Sequence, residues 1–293
     1  MKYRPKHIIE YLPLRIVCGL VGILPYRLGL GLAWGVARLA FSVGRWRRTE
    51  AVRRIRAVLG DTVTERDAQR IAWHSLRNMA FNLAETVYMG GARPRQLPQP
   101  VDMEDALDRF RAYVQAHPGR GGIFACPHMG NWELAGLVAP ASHIDLFTIT
   151  GQQKNPLVNA YMQRLRHSPG VELLARGTPN LLRKVLANLR AGKFLAIMPD
   201  LRSNQPGVPI HFFGTTANLY PGTAQFARQA GIPVFLAVMK RHGWTHHKLD
   251  LHGPFEPDPA RSKSDDITHL TQTIMTILDT EIRRDPAQWR SEE

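Results

Sequence analysis

Two residues in the run Pro127-His128-Met129-Gly130-Asn131-Trp132-Glu133 can move protons. An imidazole such as that of His128 takes a proton near neutral pH, its reference pKa being about 6.5. A carboxylate within reach, here Glu133, can hold the ring in one tautomer and stabilise the imidazolium. The run follows Gly122-Ile123-Phe124-Ala125-Cys126, a short apolar stretch bounded by glycines and a proline, which predicts a buried strand. Residues 133–138 are apolar and helix-friendly, so His128 falls in a loop and Glu133 in a first helical turn. Ligands bind at that end of the strands in open α/β sheets. A helix N-terminus also offers backbone N–H groups to a developing anion. General base, orienting acid and oxyanion donors could share one turn. The H-x4-E spacing alone arises by chance, and Gly130-Asn131-Trp132 between the two makes the pattern more specific.

Other reactive side chains read more plainly. Cys126 lies two positions before His128 and would share its face of the strand, but a small buried residue is the simpler reading. His242, His246 and His247 have no acidic or cysteine ligand at metal spacing and read as surface histidines, so no metal site is predicted. Two cysteines without a CxxC exclude both a disulfide framework and a Cys-based zinc site.

The elements that must position these residues follow from the hydrophobic pattern. Residues 46–90 read as helical, 90–100 as a breaker-rich connection and 104–116 as a helix. Strands are predicted at 122–126, 146–149, 194–198 and 233–239, with one more at 247–251. Helices are predicted at 156–166, 179–190, 221–230 and 267–283, and residues 254–266 as a polar, proline-bearing loop. Strands alternating with helices indicate an α/β fold, a mixed and mostly parallel central sheet flanked by helices.

Charge marks off the N-terminus. The 293 residues carry a formal net charge of +14. Residues 1–60 hold twelve basic and two acidic side chains, so +10 of it sits there. Residues 12–44 are mostly apolar, and their longest charge-free run is the eleven residues 16–26. A spanning helix needs about 20 predominantly apolar residues, so a clean span is not written, whereas an interfacial helix with snorkelling arginines is. Arg45-Trp46-Arg47-Arg48 then resembles a membrane boundary. The simpler alternative is a buried hairpin with a solvated arginine face. Nucleic acid would account for the arginines but not for the apolar block, and no RRM, zinc-finger or helix-turn-helix signature is present. Residues 1–48 are therefore read as a helical membrane-associating segment. Residues 49–293 are read as the α/β domain, with 49–90 its helical lead-in.

The string His128-Met129-Gly130-Asn131-Trp132-Glu133 resembles the signature of the bacterial lipid A biosynthesis acyltransferases, the late lauroyl and myristoyl transferases of the lysophospholipid acyltransferase superfamily. Lys154-Asn155-Pro156 with Arg164 and Arg166 resembles that family's second block. Phe194 to Pro199-Asp200 resembles its third, and Phe212-Phe213-Gly214 to Tyr220-Pro221-Gly222 its fourth. The resemblance implies a glycerolipid acyltransferase-like fold and transfer of a fatty acyl chain from acyl carrier protein to a hydroxyl of a lipid A precursor. The work would be done at the cytoplasmic face of the bacterial inner membrane, with no metal and no cofactor beyond the acyl donor. It makes His128 the general base, Glu133 its orienting partner, and Lys154, Arg164, Arg166 and Asp200 substrate-binding positions. No acyl-enzyme is implied, since no nucleophile belongs to the motif. Acceptors such as a glycophospholipid or an ornithine lipid, or a non-catalytic basic membrane-binding role, are the alternatives.

Two departures concern the acceptor more than the chemistry. Leu201-Arg202-Ser203-Asn204 stands where the family has further acidic or polar residues. The C-terminal Pro286-Ala287-Gln288-Trp289-Arg290 is only the start of the family's longer Pro-x-x-Trp ending.

Overall fold

The structure is a computed structural model and describes residues 4–90, 95–138, 144–166 and 171–290. Part of the connection expected over 90–100 lies outside these residues. The chain begins with helices α1 (Pro5–Ile23), α2 (Tyr26–Val43), α3 (Arg45–Leu59) and α4 (Glu65–Gly90), with a 3-10 turn at Gly60–Thr62 before α4. Then come α5 (Glu104–Ala116), β1 (Gly122–Ala125), α6 (Trp132–Val138), β2 (Leu146–Thr150), α7 (Pro156–Arg166), β3 (Val171–Ala175) and α8 (Leu181–Arg190). The last part holds β4 (Phe194–Ile197), β5 (Val208–Phe212), β6 (Thr215–Leu219), α9 (Gly222–Ala230), β7 (Val234–His242), β8 (His246–Phe255) and α10 (Lys263–Arg284). The described residues divide into two compact units. The first takes in 1–100, 151–169 and 242–246, the second 101–150, 170–241 and 247–293.

The first unit is helical and contains the expected segment 1–48. Pro25 cannot continue α1, and it opens α2 instead. Tyr26, Leu30, Ala33 and Ala37 are buried at helical spacing on α2. They pack with Cys18 and Val21 of α1, with Phe81, Ala84 and Val87 of α4, and with Tyr161 and Leu165 of α7. A side chain at Gly90 would run into the Leu165 carbonyl, so glycine lets α4 and α7 approach closely. The buried Glu85 accepts a hydrogen bond from the Tyr26 hydroxyl at 2.7 Å. The opposite faces of α1 and α2 carry exposed apolar stripes. Ile9, Leu12, Ile16 and Ile23 form one, and Leu28, Val36, Leu39 and Val43 the other. No described helix is long and apolar enough to cross a membrane.

The second unit is built on a six-stranded sheet of order β3-β2-β4-β1-β7-β8. β1 runs parallel to β4 and β7, and β2 parallel to β3 and β4. A connection as short as 243–245 can only return β8 antiparallel to β7, so the sheet is mixed and mostly parallel. All four residues of β1 are buried, as expected of a strand covered on both faces. Ile123 and Ala125 face a core built with α8, α9 and α10, whereas Phe124 and Cys126 face a cluster that includes Ala106 and Tyr113 of α5.

Three elements differ from the sequence reading. β3 extends the sheet at an edge and was hidden by its mixed burial and the exposed Glu172. β5 and β6 form a separate antiparallel hairpin, and Pro209 in β5 masks the buried–exposed alternation of that strand. The loop expected over 254–266 shortens to 256–262, because β8 runs to Phe255 and α10 starts at Lys263 with Ser262 capping the Asp265 amide at 3.1 Å. His247 is also corrected. It is buried in β8, with Nε2 at 3.5 Å from Nη1 of the buried Arg241, whereas His242 and His246 are exposed.

Candidate active site

The site forms where two neighbouring parallel strands end. Ala125 at the end of β1 pairs with Ile197 at the end of β4. Carried three residues further, that register sets His128 opposite Asp200. Each chain leaves its strand the same way, as Cys126-Pro127-His128 and Met198-Pro199-Asp200. The Cys126 amide still bonds the Ile197 carbonyl at 2.9 Å, so the two exits stay registered past the strands.

Asp200 grips the histidine twice. Its Oδ1 lies 3.0 Å from His128 Nδ1, and its Oδ2 accepts the His128 backbone N–H at 2.9 Å. Oδ2 also accepts the indole N–H of Trp289 at 3.0 Å. The Asp200 side chain is 1% exposed and that of His128 12%. An ionised carboxylate only accepts, so an ionised Asp200 favours the tautomer with the proton on Nδ1. Asp200, a position read from sequence as substrate-binding, thus contributes a carboxylate facing the ring.

The loop after His128 is fixed from several sides. Gly130 has φ +60, and a side chain there would collide with the Met239 carbonyl, so only glycine fits. The fully buried Asn131 caps α6 through Oδ1, which accepts the Leu134 amide at 3.1 Å. That amide is thus already used and is withdrawn from the expected set of oxyanion donors. Trp132 sets its ring edge-on to the His128 imidazole, with centroids 5.1 Å apart.

The C-terminal segment supplies residues that sequence reading passed over. Met129 and Trp289 form an antiparallel bridge. The Gly130 amide donates to the Gln288 carbonyl and the Arg290 amide to the His128 carbonyl, both at 2.8 Å. Gln288 is in turn clamped to the backbone of Arg241, accepting its amide at 2.6 Å and donating to its carbonyl at 3.0 Å. The tryptophan of Pro286-Ala287-Gln288-Trp289 was visible as a family-like ending, but its contact with Asp200 spans 89 positions.

The remaining predicted residues fall as follows. Glu133 is half-buried in the first turn of α6. Lys154 and Arg164 are exposed and Arg166 is half-buried, and all three belong to the first unit, whereas His128, Glu133 and Asp200 belong to the second. Between Lys154 and α7, Asn155 is a structural tie. It caps the Leu157 amide at 3.0 Å and donates to Glu10 at 2.9 Å. Cys126 is buried, and burial, reinforced by the Asp200 charge, pushes its thiol up to about 12. Such a thiol stays protonated near neutral pH and is a poor nucleophile. Among the described residues no group of three or more His, Cys, Asp and Glu could hold a metal ion.

Comparison with known proteins gives two results. The model of a family described as bacterial lipid A biosynthesis acyltransferase matches residues 4–290. Among individual proteins, the chain is similar to a phosphatidylinositol mannoside acyltransferase of Mycobacterium tuberculosis, 26% identical over 198 residues, which is 67% of this chain and 59% of that protein. It is also similar to the phosphatidylinositol mannoside acyltransferase of Mycolicibacterium smegmatis, 26% identical over 187 residues, 63% of this chain and 60% of that one. The matched part thus spans about three fifths of the length of these relatives.

Proposed function

We propose a function from one premise: the chain belongs to the bacterial lipid A biosynthesis acyltransferase family. The chain is an O-acyltransferase that moves a fatty acyl group from a thioester donor to a hydroxyl of a membrane glycolipid. The observation that carries this reading is the His128–Asp200 pair at the ends of two parallel strands. His128 Nε2 takes the proton of the acceptor hydroxyl as its oxygen attacks the thioester carbonyl. The tetrahedral oxyanion collapses, the C–S bond breaks, and the imidazolium returns its proton to the departing thiolate. Asp200 holds the ring in the Nδ1–H tautomer and stabilises the imidazolium between these steps. We assign the orienting role to Asp200, whose carboxylate meets Nδ1 at 3.0 Å, rather than to Glu133, the residue expected from sequence. Transfer is direct, in keeping with the buried, protonated Cys126. Only donor and acceptor are consumed.

The donor proposed is acyl carrier protein and the acceptor a lipid A precursor, with Lys154, Arg164 and Arg166 as cations for substrate phosphate or for the carrier's acidic surface. The similarity to the mannoside acyltransferases favours a second acceptor class, a phosphorylated glycophospholipid. The exposed apolar stripes on α1 and α2, beside the arginine-rich α3, support docking at an anionic membrane surface, the cytoplasmic face of the inner membrane. The test is product mass spectrometry with detergent-purified protein, acyl carrier protein and coenzyme A donors, and both acceptor classes. A gain of one acyl chain that disappears in His128→Ala is expected. Turnover within tenfold of wild type in folded His128→Ala would refute the general base.

A further inference from the structure

We propose that Trp289 is a positioning residue for the His128–Asp200 pair, and that Gln288-Trp289-Arg290 is the brace that builds the reactive loop. The inference rests on the reading of His128 as general base. Asp200 Oδ2 has two donors, and the indole N–H is the one that comes from outside the loop. It fixes the rotation of the carboxylate and so the direction in which Oδ1 meets Nδ1. Backbone contacts from Gln288 and Arg290, on either side of Trp289, hold the Gly130 amide and the His128 carbonyl, on either side of Met129. Side chain and backbone of one short segment therefore secure both partners.

The brace is itself anchored. Gln288 is tied to Arg241 in both directions. The indole packs against Phe212 and Phe213 from the β5–β6 hairpin, with centroids 6.0 and 5.6 Å away, and the Arg283 guanidinium stacks on the other ring of that group, Phe213, at 5.1 Å. Phe213 adopts φ +54 and Gly214 φ +77 in the two-residue turn. Both central residues at positive φ suit a hairpin, but a bulky ring at the first is unfavourable on its own. Asparagine or glycine would fit that backbone better, so its surroundings over-determine Phe213. Its contact with Trp289 accounts for the exception.

The experiment compares full-length wild type, Trp289→Phe, Phe213→Gly and His128→Ala. Trp289→Phe keeps an aromatic ring and removes the donor. Phe213→Gly relieves the turn and removes the packing on the indole. Both are expected to unfold within a few degrees of wild type and to keep KM for donor and acceptor within twofold. In Trp289→Phe, kcat should fall by roughly tenfold to a hundredfold, the worth of one hydrogen bond to a buried charge. The downfield proton resonance of His128 Nδ1 should move or broaden. Phe213→Gly should lower kcat in the same direction. A purely structural tryptophan predicts that folded Trp289→Phe retains kcat within twofold and leaves the Nδ1 resonance unchanged, and that result would overturn the proposal. Turnover in His128→Ala would instead remove the reading beneath it, so the two failures are distinguishable.

Discussion

Asp200→Asn isolates the charge of the pair with almost no change in volume. The magnitude follows from the geometry. With Nδ1 and Oδ1 at 3.0 Å, an imidazolium and a carboxylate attract by about 5.5 kcal/mol at an effective dielectric constant of about 20. One power of ten in rate is about 1.4 kcal/mol, so the upper expectation is a loss of between three and four powers of ten. Losing one charge-assisted hydrogen bond, about 1.5–3 kcal/mol, sets the lower expectation near tenfold to a hundredfold. Tautomer choice pushes towards the larger figure. Oδ2 faces two N–H donors and must remain an oxygen, so the new amide group takes the Oδ1 position. It then donates to Nδ1, moves the ring proton to Nε2 and removes the base. We expect kcat to fall between a hundredfold and ten-thousandfold in the acyl-transfer assay, with KM nearly unchanged and the protein folded by thermal melting. Glu133→Gln should cost less than tenfold. Folded Asp200→Asn within tenfold of wild type would refute the reasoning, and a greater loss in Glu133→Gln would return the orienting role to that residue.

Three further perturbations test neighbouring steps. Cys126→Ala should keep turnover within about threefold, because a thiol pushed up to about 12 carries almost no thiolate near pH 7; loss of activity in the folded variant, or an acylated peptide containing Cys126 in the mass spectrum, would overturn direct transfer. Gly130→Ala must push its methyl into the Met239 carbonyl and hold alanine at φ +60, at a cost of about 2–4 kcal/mol. A melting temperature unchanged from wild type would show that the loop is not held against β7. Replacing Ile9, Ile16, Leu39 and Val43 together by serine removes solvent-exposed side chains, so the fold should persist. Partition to anionic vesicles should fall at least a hundredfold, since each buried side chain of this size contributes about 1.5–3 kcal/mol; unchanged sedimentation with vesicles would exclude these stripes as the membrane face.

What sequence made legible was whatever is local. The apolar runs at 122–126 and 194–198, bounded by glycine and proline, gave the two central strands nearly to the residue. The loop motif gave His128. The carboxylate opposite His128 was not local, because Asp200 is 72 positions away and reaches it through the parallel pairing of β1 with β4. The nearer Glu133 satisfied a spacing rule, but spacing along one chain cannot report who sits across a sheet. A signal did exist in the matching ends Cys126-Pro127-His128 and Met198-Pro199-Asp200. Two buried strands that each end in proline followed by a titratable residue become partners once parallel pairing is granted, and the placement of ligands at the carboxyl ends of strands in open α/β sheets then selects the pair. Trp289 had no such signature. Its meaning depends on a hairpin whose proline concealed it and on a turn held by Phe213 at positive φ. The proposed base thus lies in a single local motif, while the residues proposed to orient it are distributed over the end of β4, the β5–β6 hairpin and the C-terminal segment. A substitution at the orienting positions should therefore damage turnover without touching the motif that identifies the family.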